Sequence, residues 1–292
     1  MESLIQFFAD IPSSVRTLIL VSGLAFFWLF ESLIPLFRFS YKKWRHAGKN
    51  LFFTATTAVI NFAFAYLIVK SSDWAVATGF GLLHLAELNI WLFVLLGLLV
   101  LDLIGAYFIH WLEHQVPWMW HFHIIHHSDT HVDTTTANRH HPGESVFRAV
   151  FTLIAVLVAG APMWLVMLYQ TLSVIFSQFN HANIRLPEWA DRLLSWVIVS
   201  PNMHKVHHHY QLPLTDTNYG NIFAFWDRIF GTFAKVEKPE NLVYGLDTHM
   251  NPEENDRLKN LLAIPFQPHR SPTYLPEGHQ KQKNTQESSP WA

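Results

Sequence analysis

The sequence of 292 residues contains no cysteine and little charge. Without cysteine there is no disulfide framework, no thiolate zinc site and no cysteine-ligated iron–sulfur cluster. Asp, Glu, Lys and Arg make up 14% of the chain, against about a quarter in soluble domains, which argues against an ordinary water-soluble globule. A formal net charge of −2 offers no basic surface for nucleic acid. No Walker or dinucleotide fingerprint is present: Gly79-Phe80-Gly81 follows no strand signal and lacks the third glycine. Apolar residues, by contrast, are half of the chain, and there are 19 histidines. Fourteen of these fall between His110 and His209.

The apolar residues are concentrated in runs long enough to cross a membrane, which takes about 20 residues. Leu18–Phe37 contains only Glu31 as a charge, Leu51–Val69 contains none, and Ile90–Ile109 contains only Asp102. The run Val146–Phe179 holds the single charge Arg148. As one straight helix that run would reach about 50 Å, far more than one crossing needs. Gly160-Ala161-Pro162 near its middle predicts a break and a helical hairpin. The hairpin returns His181 to the side holding the other histidines. An acidic Glu2, no basic start and no small-residue cleavage site predict a retained anchor rather than a cleavable signal. The loop Arg38–Asn50 carries Arg38, Lys42, Lys43, Arg45 and Lys49, whereas Ser71–Leu88 carries no Lys or Arg. The positive-inside rule therefore places the first loop, and the histidines after the third span, in the cytoplasm.

The expected fold is all-α and integral to the membrane, with four to five transmembrane helices including the broken hairpin 146–179 and a histidine-rich cytoplasmic helical cap. Expected divisions are an N-terminal transmembrane hairpin at 1–89, a catalytic region at 90–266 and a disordered tail at 267–292, rich in Pro, Gln, Ser and Lys.

The histidine spacings carry chemistry. His110 and His114 stand at i and i+4, on one helix face, at the end of the third span. His123, His126 and His127 follow Pro117, which suits a first helical turn; offsets of 0, 3 and 4 put three imidazoles within about 100° of each other. His204, His207 and His208 repeat the pattern behind Ser200-Pro201, an N-cap and first-turn pair. His121 and His209 fall off these faces. So many clustered imidazoles would repel one another when protonated, and a metal removes that conflict. Imidazole suits Zn, Cu, Fe and Ni alike. Eight ligands exceed what one ion takes, so two metals are implied. His141, opening a helix start at His141-Pro142-Gly143-Glu144, and His181, in Asn180-His181-Ala182-Asn183, are weaker candidates. His46, His84, His131, His140, His249, His269 and His279 lack spacing partners and read as ordinary polar residues.

Taken in order, these motifs resemble the fatty acid hydroxylase/sterol desaturase superfamily of membrane di-iron enzymes. The resemblance runs from about Asp102 to Phe266. It covers His110-x-x-x-His114, His123-x-x-His126-His127-Ser128, Arg139-x-His141-Pro142-x-Glu144, Asn180-His181-Ala182-Asn183, Pro201-x-x-His204-x-x-His207-His208, Asn218-Tyr219-Gly220 and Trp226-Asp227-x-x-Phe230-Gly231-Thr232. Three residues separate the first two histidines, as in the sterol-desaturase-like branch. The resemblance implies transmembrane helices under a histidine-rich cap. It implies iron ligands His110, His114, His123, His126, His127, His204, His207 and His208, with His141 and His181 added. It also implies O₂-dependent hydroxylation or desaturation of a lipid.

The residues agree with that expectation. A lipid would reach the metals from the bilayer while electrons arrive from outside the chain. With no cysteine for an iron–sulfur relay, the expected partner is a cytosolic or membrane electron donor such as a ferredoxin, cytochrome or reductase. Asp102, Glu144 and Asp227 are candidates to orient ligand imidazoles through their second ring nitrogen. Asp102 stands out, because a carboxylate inside a span is costly without a purpose; Glu31 has the same cost and no evident role. Against this stand a metal transporter or store, whose ligands usually sit at the bilayer midplane, and a membrane di-zinc hydrolase.

Overall fold

The structure is a computed structural model and describes residues 1–270. Among these residues it is all-helical, with only three isolated β-bridges. The expected tail lies mostly in residues 271–292, outside the described residues.

A short helix, α1 (Glu2–Ala9), precedes α2 (Ser13–Leu33). Next comes α3 (Lys43–Thr78), 36 residues long. The sequence suggested loops at Arg38–Asn50 and Ser71–Leu88; the helix instead takes in most of the first and the start of the second. No proline occurs between Pro35 and Pro117, so nothing stops α3 until Gly79 adopts the left-handed conformation at φ 66°. The third span begins as α4 (Ile90–Asp102), with Asn89 accepting from the amides of Trp91 and Leu92. It passes through a π turn at Leu103–Phe108 and continues as α5 (Ile109–Gln115). The wider turn rotates everything that follows relative to α4, just ahead of His110.

The expected hairpin is present. α7 (Pro142–Ala159) and α8 (Met163–His181) are joined at Gly160-Ala161-Pro162. Gly160 sits at φ 71°, and a Cβ there would lie 2.2 Å from the Phe80 carbonyl oxygen. Only glycine supplies both the left-handed turn and that close approach. Ser72 Oγ donates to the Ala161 carbonyl at 2.8 Å and ties the tip of the hairpin to α3.

α3 and α4 pack on α7, while α1, α2 and α4 pack on α8. Leu101, Val156, Ala159 and Leu165 form the dry seam. The outward faces carry Leu18, Phe62 and Trp91, all more than 60% exposed. Among the described residues four helices are long and apolar enough to cross a membrane, and the chain is a multi-pass membrane protein. At the far end from the hairpin tip, shorter helices complete a cap: α6 (Pro117–His127), α9 (Glu188–Leu194), α10 (Pro201–His207) and α11 (Phe225–Ile229). Pro117 occupies the first turn of α6. Ser200 caps α10 by accepting from the Met203 amide at 3.2 Å. α12 (Pro252–Asn255) and α13 (Leu258–Ala263) close the described chain, with Leu261 packed beside Ile124 and Ile125 of α6.

Glu31 finds its role here. Its carboxylate is buried, accepts from the Thr134 amide (3.0 Å), the Thr134 hydroxyl (2.9 Å) and the Asn183 amide (3.1 Å), and pairs with Lys43 at 3.3 Å. It ties α2 to the loops on either side of the histidines.

Candidate metal centre

Two groups of imidazoles meet where α5, α6, α8 and α10 converge. His110, His114, His123, His127 and His207 form one; His126, His181, His204 and His208 form the other. Within each, the candidate ligand nitrogens lie within 4.8 Å of one another. Bonds of about 2.1 Å hold ligand nitrogens at most about 4.2 Å apart, so either group closes on an ion by small shifts. Nitrogen faces nitrogen: His110 Nε2 is 3.2 Å from His123 Nε2, and His181 Nε2 is 3.2 Å from His126 Nε2 and 3.0 Å from His204 Nε2.

Helix geometry explains the convergence. The offsets of 0, 3 and 4 on α6 split its histidines: His123 and His127 turn to the first group and His126 to the second. On α10, His207 joins the first group while His204 and His208 join the second. The two ion positions therefore share two helices.

The ring hydrogen bonds set which nitrogen is free. His110 Nδ1 donates to the Tyr219 carbonyl at 2.8 Å, His207 Nδ1 to the Thr217 carbonyl at 2.7 Å, and His181 Nδ1 to the Ser177 carbonyl at 2.8 Å. A proton held on Nδ1 leaves the Nε2 lone pair pointing inward, the tautomer a metal needs. Carboxylates do the same for two others: His123 Nδ1 lies 2.8 Å from Glu144 Oε1, and His114 Nδ1 lies 3.0 Å from Asp216 Oδ1.

The donor set fits metal. His114 Nε2, His207 Nε2 and both nitrogens of His127 and His208 are buried without a hydrogen-bond partner. Buried polar atoms are almost always satisfied, and a bound cation satisfies these. Burial first, then repulsion from neighbouring imidazoles, holds His123, His126, His127, His204, His207 and His208 well below the ordinary histidine pKa. They are neutral at pH 7, as ligands must be.

Residues 94–232 match the sequence profile of the fatty acid hydroxylase family. The match covers a little under half of this chain. The matched stretch holds all nine of the converging histidines. Ornithine lipid hydroxylase OlsE of Rhizobium tropici is 27% identical over 153 residues, 52% of this chain and 45% of the relative. Alkylglycerol monooxygenase of Homo sapiens is 29% identical over 151 residues, 50% of this chain and 32% of the relative. Cholesterol 25-hydroxylase-like protein of Danio rerio is 28% identical over 128 residues, 43% of this chain and 50% of the relative. The chain spans about half or less of the length of these relatives. No solved structure matches it.

The structure departs from the sequence expectation at three positions. His141 stands outside both groups. It is the N-cap of α7, its Nδ1 accepting from the Gly143 amide at 2.9 Å, so that lone pair satisfies a helix end. Asp102 touches no histidine; it accepts from the amides of Ile222 (3.4 Å) and Phe223 (3.3 Å) and from Trp226 Nε1 (3.1 Å). Asp227 also touches no histidine, but accepts from the amides of Tyr219 (2.7 Å) and Gly220 (3.0 Å) and the Thr232 hydroxyl (2.8 Å). It thereby holds the loop whose Tyr219 carbonyl orients His110. Glu144 alone of the three contacts a converging imidazole directly.

Sequence reasoning missed Glu113, His140, Arg148 and Asp216. Arg148 lies between two buried carboxylates, with NH2 2.5 Å from Glu113 Oε2 and Nε 3.0 Å from Glu144 Oε1. His140 adds a third contact to Glu144 Oε1, at 2.6 Å, and stacks on His126 at 4.9 Å between centroids. The i, i+4 spacing of Glu144 and Arg148 was a usable signal. Nothing local pointed to Asp216, which meets His114 across 102 residues.

Proposed function

We propose that the chain is a membrane-bound, O₂-dependent lipid hydroxylase that holds two iron ions in its two histidine groups. The carrying observation is the set of nine buried imidazoles, converging in two groups, whose inward nitrogens meet one another or no partner at all. His110, His114, His123, His127 and His207 would hold one ion, and His126, His181, His204 and His208 the other. Iron held there supplies the redox capacity to activate O₂ toward an unactivated C–H bond. The balanced conversion takes a lipid C–H, O₂, two electrons and two protons to an alcohol and water.

The protein's own contribution is positioning and exclusion. Carbonyls of Ser177, Thr217 and Tyr219 and the carboxylates of Glu144 and Asp216 fix the rings of His110, His114, His123, His181 and His207, which keeps those five lone pairs aimed inward. Complete burial of His123, His127, His207 and His208 keeps bulk water off the reacting atoms. The relatives are named as hydroxylases and monooxygenases, which favours hydroxylation over desaturation. Their names, covering ornithine lipid, alkylglycerol and cholesterol, support a membrane lipid as the substrate. Electrons come from a separate ferredoxin, cytochrome or reductase, because the chain has neither cysteine nor a dinucleotide motif.

The metal groups face the cytoplasm in this reading. His46, near the start of α3, binds Asp129, two residues past His127. The basic cluster Arg38, Lys42, Lys43, Arg45 and Lys49 therefore lies on the histidine side, and basic flanks face the cytoplasm. The 90–266 region is the catalytic unit, carried by the N-terminal spans.

Metal analysis of purified protein, combined with lipid mass spectrometry of cells with and without it, tests the reading. Two irons per chain and a lipid heavier by one oxygen, lost in His207→Ala, are expected. Two zincs and no O₂ consumption would indicate a hydrolase and sink the proposal. A product lighter by two hydrogens would indicate desaturation instead.

A further inference from the structure

Asp102 and Asp227 are buried carboxylates that do not reach the metal centre, and both serve the same stretch of backbone. Residues 218–234, irregular on either side of the short helix α11, run past the third span. Asp102 takes the amides of Ile222 and Phe223 and the Trp226 ring; Asp227 takes the amides of Tyr219 and Gly220. The Ala224 amide donates to the Val197 carbonyl at 3.0 Å, the Val199 amide to the Ile222 carbonyl at 3.0 Å, and the Ala234 amide to Asn218 Oδ1 at 2.9 Å. A loop in water needs no such provision. A non-helical backbone at membrane depth does, because lipid offers no hydrogen bonds.

The depth follows from the span. Asp102 and Tyr107 lie 12 and 17 residues past Ile90, about 18 and 25 Å along the helix axis, and the hydrocarbon layer is about 30 Å thick. Trp226 is bonded to Asp102, and the Phe230 ring stacks on Tyr107 with centroids 5.2 Å apart. Both therefore stand on the membrane side of His110. Yet Phe230 is 54% exposed, Ile229 64% and Trp196 62%. The cation among them is shielded: Arg228 lies 4.7 Å from the Trp196 ring centroid and 3.9 Å from that of Phe233, where ring faces substitute for water.

We propose that residues 222–233, with the adjoining Trp196–Val197 strip, form a re-entrant element seated in the acyl-chain layer, with Trp196, Ile229 and Phe230 meeting lipid tails. Phe230 packs on the buried Tyr107 of the third span, whose neighbour Phe108 is half-exposed. The inference rests on the chain spanning a membrane, not on its chemistry. Asp102 is then the polar anchor of the element.

The absence of native cysteine makes the test direct. Full-length protein carrying one spin label, at Ile229→Cys, Phe230→Cys or Trp196→Cys, is placed in phospholipid nanodiscs. Collisions with O₂, which concentrates in hydrocarbon, and with a water-soluble nickel chelate are compared. Leu95→Cys on the exposed face of α4 and Glu237→Cys in the exposed cap are the lipid and water references. Bound metal confirms that each labelled protein is folded. The expected result is an oxygen-dominated ratio at all three positions, like that at Leu95→Cys. A nickel-dominated ratio like that at Glu237→Cys overturns the proposal. So does protection from both probes with spin–spin broadening, which would mean that a second copy covers the patch. Nickel access at Leu95→Cys itself would instead refute the membrane placement beneath both readings.

Discussion

Two histidine-bearing clusters lie buried side by side in this protein, and they are built on opposite principles. Around His46 every charge meets its opposite. Its Nε2 sits 2.8 Å from Asp129 Oδ2 and its Nδ1 3.2 Å from Asp133 Oδ2. Tyr41 and Thr135 donate to Asp133 at 2.6 Å each, and Thr136 donates to Asp129 at 2.8 Å. Arg139 reaches the Ile125 carbonyl, Asn50 and Ser128. In the converging groups, by contrast, imidazole faces imidazole, and six nitrogens of His114, His127, His207 and His208 have no partner. A closed network stabilises a fold by itself. An open one, in a dry interior, is stable only with something added. Burial and histidine content alone do not separate the two; unpaired nitrogen does.

The sharpest way to break this comparison is His207→Ala. It removes an imidazole from the first group beside the second group's His204 and His208, and on the proposed function lipid hydroxylation and bound iron, read by lipid mass spectrometry and metal analysis, are expected to vanish together. His46→Ala should do the reverse. Leaving Asp129 and Asp133 without their cation costs about 3–5 kcal/mol, seen as a lower melting temperature, while iron per folded chain stays unchanged. Iron lost in proportion to His46 would erase the distinction.

Finer changes act within the metal centre. Glu144→Gln keeps the shape but weakens the orientation of His123, and about 10–100-fold weaker metal binding is expected in a competition titration. Asp216→Asn should have a smaller effect, because the Asp216 side chain is 40% exposed and its pull on His114 is screened by water. An equal or larger loss with Asp216→Asn would mean that exposure does not set these weights.

Acid separates the clusters most gently. His123, His126, His127, His204, His207 and His208 are held neutral in the fold, so the unfolded chain binds more protons below its ordinary histidine value of 6.5. Stability and metal are therefore lost as pH falls below that value. Burial raises the Asp133 pKa, but His46, Thr135 and Tyr41 outweigh it and hold the carboxyl below its usual 3.8. Its contribution is present above that value and is lost only as pH falls further. Metal content and melting temperature followed from neutral to acid pH should show two separate losses, metal first.

Much of the centre was legible because helical spacing is local. Offsets of 3 and 4 put His123, His126 and His127 on one face whatever surrounds them, and Pro117 and Ser200-Pro201 announce the helices that carry them. Gly160-Ala161-Pro162 announced the hairpin for the same reason. Most of what was missed depends on contacts between distant segments, and the rest on which of two local roles a side chain takes. His141 looked like a ligand because a helix cap and a metal ligand both need an available lone pair, and sequence does not show which the lone pair meets. Asp102 looked like an imidazole orienter because its cost inside a span was evident, but its partners lie 120 and more residues away. The loop around Asp129 and Asp133, which makes His46 structural, carries no periodicity that could have linked it to α3.

Sequence alone thus determined the helices, their membrane-compatible length, and which histidines share a face, since these follow from spacing within a few turns. Tertiary structure decided how the histidines divide into groups of five and four, which carboxylates orient them, and which buried histidines are already paired. Those outcomes depend on which helix ends meet, and that is set by packing of whole spans rather than by any single motif.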